Sequence, residues 1–137
     1  MLALLAPSAK AAPFTWNTGV GFWGTAGNWT PAGGPPNSAV DIANFNLVVG
    51  TGFGIFLTGG PFTVNQLNFQ NDVNGFFVFQ LGTLIFAGAA PQINMAGPNG
   101  LTLASTATFQ LNVTTTIQTT NADSGLTLGG LSAVWAA

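Results

Sequence analysis

The chain has 137 residues and only four charged side chains, Lys10, Asp41, Asp72 and Asp123, which give it a net charge of −2. Its charged fraction of 3% is far below the roughly 25% of ordinary soluble domains, and this excludes the basic patch that a nucleic acid or an anionic membrane surface would require. The absence of cysteine excludes disulfides and thiol nucleophiles, and the 47% hydrophobic content excludes a disordered polar chain.

Residues 1–11 read as the end of a secretory signal peptide. An apolar segment runs from Met1 and is followed by Ala9-Lys10-Ala11, which has the A-x-A form of a cleavage site. The segment lacks the positively charged start of a complete signal peptide, so we predict that residues 1–11 are a partial one and that the protein is exported. No stretch approaches the roughly 18 apolar residues of a membrane-spanning helix, and no membrane insertion is expected.

Residues 12–46 differ in composition from the rest of the chain and are rich in tryptophan, glycine and proline. Trp16, Trp23 and Trp29 occur among so many glycines and prolines that they cannot form one face of a helix. Two interpretations are open. The indoles could form a buried cap over the end of a β-structure, or they could be exposed as a platform for sugar rings. We favour the cap because large aromatic side chains are mostly buried.

Residues 47–137 contain short apolar-polar-apolar runs between turns rich in glycine and asparagine. A period of two indicates strands with one buried face, and short strands at near-even spacing favour an all-β sheet wound into stacked coils. A β-sandwich would show longer strands and clearer hairpin turns, and a membrane barrel would need roughly 10-residue strands. In chain order the runs are Phe62–Val64, Leu67–Phe69, Phe77–Leu81, Leu84–Phe86, Ile93–Met95, Leu101–Leu103, Phe109–Val113, Thr116–Gln118 and Leu126–Leu128.

A set of short motifs carries a family resemblance. In order they are Phe14-Thr15-Trp16, Gly27-Asn28-Trp29-Thr30, Ala43-Asn44-Phe45, Thr63-Val64-x-x-Leu67-x-Phe69, Leu84-x-Phe86-x-Gly88, Ile93-x-Met95 and Gly125-Leu126-Thr127-Leu128-Gly129-Gly130. Their order and spacing resemble the autotransporter-associated β-strand repeat region of large secreted bacterial surface proteins. The resemblance covers nearly all of the chain after residue 11.

The resemblance implies a right-handed, single-stranded parallel β-helix with a Trp-rich N-terminal cap and a passenger-type role at the bacterial cell surface. In that family such a block usually starts a much longer chain. We therefore expect residues 47–137 to be a truncated repeat region, whose natural partner is the rest of a longer β-helical chain. Self-association through open strand edges is a second expected interaction.

The chain offers little to acid–base chemistry. Asp41, Asp72 and Asp123 are its only acids, and each occurs in a sequence typical of a turn. We predict no catalytic, cofactor or metal site, and hence a non-catalytic structural stalk that could contribute to adhesion. The alternatives are a carbohydrate-binding module that uses exposed Trp16, Trp23 or Trp29 on surface glycans, and the remnant of a polysaccharide-acting β-helix enzyme.

Overall fold

The computed structural model describes residues 10–46, 52–70, 76–97, 100–120 and 125–128. These residues form short β-strands joined by turns, with a single three-residue 3-10 helix at Ala26–Asn28, which confirms the predicted all-β class. Within these ranges no helix has the length and apolar character needed to cross a membrane. Most of the predicted signal peptide, Asp72 and Asp123 lie outside the described residues.

The strands follow one another at short intervals along the chain. Their bounds are β1 (Pro13–Trp16), β2 (Val20–Phe22), β3 (Trp29–Thr30), β4 (Ile42–Phe45), β5 (Phe53–Phe56), β6 (Phe62–Val64), β7 (Gln66–Phe69), β8 (Phe76–Gln80), β9 (Gly82–Phe86), β10 (Gln92–Met95), β11 (Gly100–Leu103), β12 (Ala107–Leu111), β13 (Thr116–Thr119) and β14 (Gly125–Leu128).

From β4 onward, successive strands belong to different sheets, whereas β3 and β4 lie in the same one. The first sheet has the order β13-β10-β7-β4-β1-β3, the second β14-β11-β8-β5-β2 and the third β12-β9-β6. From β4 onward each strand pairs in parallel with the strand three places later. The exception to parallel pairing among the described strands is the contact between β1 and β3, which is antiparallel. From β4 onward the chain therefore passes through the first, second and third sheets in turn and returns to each one at its next strand.

Large apolar side chains point inward and stack from one strand to the next. The rings of Phe53 and Phe77, which are register partners, lie 4.6 Å apart at an interplanar angle of 13°. Phe45 and Phe69 repeat this arrangement in the first sheet at 5.0 Å and 14°. The alternation of buried and half-buried residues along these strands is the period-two pattern seen in the sequence.

Polar side chains form a ladder on the opposite face of the first sheet. Asn44, Asn68 and Asn94 are register partners in β4, β7 and β10. The side-chain amide of Asn68 donates to Asn44 Oδ1 at 2.9 Å, and that of Asn94 donates to Asn68 Oδ1 at 2.7 Å. These bonds span 24 and 26 residues, so the turns differ in length while the strands remain aligned.

Two of the predicted strands end earlier than their apolar pattern indicated. Leu81 was expected at the end of a strand, but it forms the turn between β8 and β9 with a φ of 57°. Val113 was expected at the end of β12, but it follows that strand and is 44% exposed. Both side chains continue the alternation of the sequence after the backbone has already left the sheet.

The predicted cap segment and the predicted repeat region share one sheet. β4, at the end of residues 12–46, pairs with β1 on one side and with β7 on the other. The tryptophan-rich segment is therefore continuous with the stack through backbone pairing as well as through side-chain packing.

Candidate functional site: the tryptophan cluster and the covered strand edges

Three short elements bring the tryptophans together. Trp16 ends β1 and Trp29 begins β3, and the two are register partners in the antiparallel pair. Trp23 follows β2, and its backbone N–H donates to the carbonyl oxygen of Phe56 at 2.8 Å. The hairpin-like pairing of β1 with β3 and the start of the second sheet thus direct all three indoles into the same volume.

The three indoles form a compact, buried group, which we call the tryptophan cluster. Trp29 lies between the other two, with ring centroids 4.9 Å from Trp16 and 4.7 Å from Trp23, at interplanar angles of 72° and 68°. Such edge-to-face packing is favoured by the aromatic quadrupole. All three indoles also contact the ring of Phe45, the first member of the Phe45–Phe69 stack, so the cluster covers the end of the aromatic core.

Two of the three indole N–H groups donate a hydrogen bond to a backbone carbonyl oxygen. Trp23 Nε1 donates to the carbonyl oxygen of Pro36 at 2.9 Å, and Trp29 Nε1 donates to that of Trp23 at 2.8 Å. Trp16 Nε1 is buried and has no hydrogen-bond partner in the described part of the chain. The first bond ties the loop before β4 onto the cluster, and the second closes the cluster on itself.

The burial of these residues bears directly on the two interpretations of the sequence. Trp16 and Trp23 are 0% exposed and Trp29 is 1% exposed. A sugar platform needs an accessible indole face, and roughly perpendicular rings in a closed core do not provide one. The carbohydrate platform on Trp16, Trp23 and Trp29 is therefore not supported by this geometry, because their aromatic area is used to cover the core.

The strands at the outer end of the stack, next to the cluster, are β3, β2 and β6, one in each sheet. An uncovered edge of this kind presents free backbone groups to other strands. In the first sheet β3 is only two residues long and is followed by Pro31, which has no N–H to offer a further strand.

Side chains and turns cover the other two edges. In β2 the carbonyl oxygen of Phe22 accepts from Asn28 Nδ2 at 3.0 Å and from the Thr25 N–H at 3.2 Å. In β6 the N–H of Thr63 donates to Asn37 Oδ1 at 2.9 Å. Asn28 and Asn37 therefore take the place of a neighbouring strand at these two positions.

Asp41 fixes the loop that carries Asn37. It is 9% exposed, and its Oδ2 accepts from the backbone N–H of Asn37 at 2.9 Å. Its own carbonyl oxygen accepts from the N–H of Asn65 at 2.8 Å and of Gln66 at 3.3 Å. This is the turn role expected for Asp41, and it connects the cap loop to the start of β7.

The described residues bring together no group of three or more His, Cys, Asp or Glu side chains that could hold a metal ion. Of the three aspartates considered in the sequence, only Asp41 can be placed. Asn37 was not singled out from the sequence, and Asn28 was named only within the resemblance motif Gly27–Thr30, with no edge-covering role. The signal that could have found them is an asparagine in a glycine- or proline-rich loop, where its side chain is free to bond backbone groups.

Comparisons of the chain with models of protein families, with curated proteins and with solved structures found no match. The family resemblance of the sequence motifs therefore stays a prediction. The geometry shows a buried aromatic cluster that covers a core and polar side chains that cover strand edges.

A matched pair of substitutions measures the hydrogen bonds of the cluster. Trp23→Phe removes the bond to the buried Pro36 carbonyl, whereas Trp16→Phe removes an N–H that has no partner. Both replace an indole by the same smaller ring. We expect Trp23→Phe to lower the free energy of unfolding by about 1–3 kcal/mol more than Trp16→Phe, the cost of leaving a buried acceptor unpaired. Urea titrations of the two variants measure the difference, and equal losses would contradict the assigned role of the Pro36 bond.

Removal of Asn37 tests the covered edge. Asn37→Ala keeps the backbone bond to Asp41 but leaves the Thr63 N–H free on the outer side of β6. We expect a loss of about 1 kcal/mol in the free energy of unfolding and the appearance of dimers or larger species, measured by light scattering after size-exclusion chromatography. Asn46→Ala, at an exposed position after β4, is the control. An Asn37→Ala protein as monomeric as this control would argue against a role in covering the edge.

Proposed function

We propose that the chain is a capped segment of a right-handed parallel β-helix, and that it serves as a non-catalytic, rigid stalk in an exported passenger-type surface protein. The observation that carries the proposal is the pairing of each strand with the strand three places later, always in parallel and in register from β4 onward. A chain that passes through three sheets in a fixed order is expected to pair its strands at this offset of three.

The proposed handedness has a general physical basis. When two parallel strands of one sheet are joined by a connection that leaves the sheet, the crossover is right-handed in roughly 98% of cases. From β4 onward, each described parallel pair is joined by a connection that passes through the other two sheets. A right-handed path is therefore the expected one for each coil.

Stiffness is the property that the side-chain columns would supply. Stacked phenylalanines run through the interior, and the ladder of Asn44, Asn68 and Asn94 runs along the outside. β4 is thus held to β7 by backbone, aromatic and amide contacts together. Such an arrangement suits a spacer that keeps its length under load better than it suits a mobile binding loop.

The two ends of the described stack differ, and this supports continuation in one direction. The tryptophan cluster and the side chains of Asn28 and Asn37 cover the end that holds β3, β2 and β6. At the opposite end Ile117 is in register with the buried Ile93 and Leu67 yet is 42% exposed. We infer that further coils of a longer chain stack there and bury this position.

Export and surface location rest on the sequence. The segment ending at Ala9-Lys10-Ala11 has the form of a cleavage signal, and the motif order resembles secreted bacterial surface proteins. The scarcity of charge is compatible with that setting, because asparagine, glutamine, threonine and serine provide the polar surface instead.

The architecture can be tested in solution with pairs of spin labels. The chain has no native cysteine, so spin labels can be attached to introduced cysteines without labelling any other residue. Thr102 is the register partner of Val78 on one side and of Thr127 on the other. We expect strong dipolar broadening for the pair V78C/T102C, separated by one strand spacing of roughly 4.8 Å, and weaker broadening for V78C/T127C at about twice that.

Single-cysteine variants provide the unbroadened reference spectra for these pairs. Equal broadening in both pairs, or none in V78C/T102C, would rule out the stacked-coil register.

The proposed location can be tested separately on cells that produce the protein. Antibodies raised against the purified segment 12–128 should label intact cells, and brief treatment with extracellular protease should remove that label. Antibodies against a cytoplasmic protein of the same cells serve as the control for lysis. Labelling that appears only after the cells are broken would overturn the surface assignment and leave the architecture untouched.

A further inference from the structure

A groove crosses the corner where the second sheet meets the third. It arises because the turns that stack there differ in length. Between β5 and β6 the chain uses the five residues 57–61, whereas between β8 and β9 it turns at Leu81 alone. The longer turn overhangs the shorter one and leaves an open space of about 290 Å³, which extends over the outer face of β9 to Gln110 in β12.

Leu81, in the wall of this groove, has two unfavourable features at once. Its φ of 57° is in the left-handed region, where a branched side chain is disfavoured and glycine is the usual residue. The nearby positive-φ positions, Gly59 and Gly82, are indeed glycines. Leu81 is also 45% exposed, so its side chain gains little from burial in the protein itself. A strained and exposed leucine at a groove points to a contact outside the chain.

The lining of the groove defines the chemistry of what can bind. Leu81, Pro61 and Ile85 supply apolar surface, and Thr58, Thr83 and Gln110 supply hydroxyl and amide groups. None of the residues that line the groove is ionisable. A charged ligand would lose water there without meeting an opposite charge, which is costly. The groove therefore suits a neutral molecule that has one apolar face and several hydroxyl groups.

We propose that this groove binds a short neutral saccharide. The C–H face of a pyranose ring would lie against Leu81 and Ile85, while its hydroxyl groups would bond to Thr58, Thr83 and Gln110. Gln110 Nε2 donates to Asn112 Oδ1 at 2.7 Å, which orients the side-chain amide and leaves its Oε1 to accept from a sugar hydroxyl. The space of about 290 Å³ is just below the roughly 300–1,000 Å³ typical of small-molecule sites, and we assign it to one or two sugar units. The site is separate from the buried tryptophans and does not depend on the stalk role.

Titrations followed by ¹H–¹⁵N correlation spectra test the proposal, with cellotriose, maltotriose and N-acetylchitotriose as neutral probes. We expect at least one of them to shift the amide signals of Leu81 and Thr83. Leu81→Gly should weaken that binding about tenfold or more, the loss expected for removing one leucine contact. Because glycine accepts a positive φ, this variant should be as stable as the parent in urea, so weaker binding cannot be attributed to unfolding. Val113→Ala, at an exposed apolar position outside the groove, is the control and should leave the affinity unchanged.

Three results would overturn the proposal. They are the absence of any shift with the neutral saccharides, equal affinity of the parent and Leu81→Gly, and equally tight binding of trigalacturonate, which would remove the argument from charge. In the first case, shifts produced by a proline-rich peptide would indicate a protein partner instead. None of these results would alter the spin-label pattern or the cell-surface labelling, so failure here is distinguishable from failure of the stalk proposal.

Discussion

Parallel backbone pairing between each strand and the strand three places later is the constraint on which the rest of the molecule depends. Pairing at this offset puts equivalent residues of the paired strands directly next to one another. Phenylalanine then meets phenylalanine inside, and asparagine meets asparagine outside. The same repetition creates a difficulty at the end that holds β3, β2 and β6, where the described residues place no further strand over the core and the strand edges.

The tryptophan-rich segment resolves that difficulty by two separate means. Apolar area is covered by three large indoles packed edge to face against one another, and backbone polarity is covered by amide side chains and a short antiparallel strand. Covering only the core would leave edges open to other chains, and covering only the edges would leave aromatic rings in water. The segment therefore needs tryptophan and asparagine in one loop-rich stretch, which explains a composition so unlike the repeats that follow.

Much of this could be predicted from the sequence, and the parts that could not have physical reasons. Runs such as Phe62–Val64 and Ile93–Met95 alternate so regularly that strands were predicted where β6 and β10 lie. The burial of the tryptophans followed from their size. The predicted end of β8 was wrong because Leu81 is apolar and continues the alternation of the strand. Such alternation cannot reveal a turn that uses an unfavourable φ. The register could not be predicted because the segments between paired strands differ in length, and the groove beside Leu81 depends on such a difference between two turns.

The asparagine ladder has a direction. The amide nitrogens of Asn94 and Asn68 each donate to the oxygen of the asparagine in the paired strand nearer the N-terminus, so these amide dipoles point the same way across the sheet and polarise one another. The ladder can be extended without a break only by whole three-strand units that each bring an asparagine into register. Duplication of a complete three-strand unit would therefore preserve the ladder, whereas gain or loss of part of a unit would break it. The ladder would thus favour growth of the coding sequence in units of three strands.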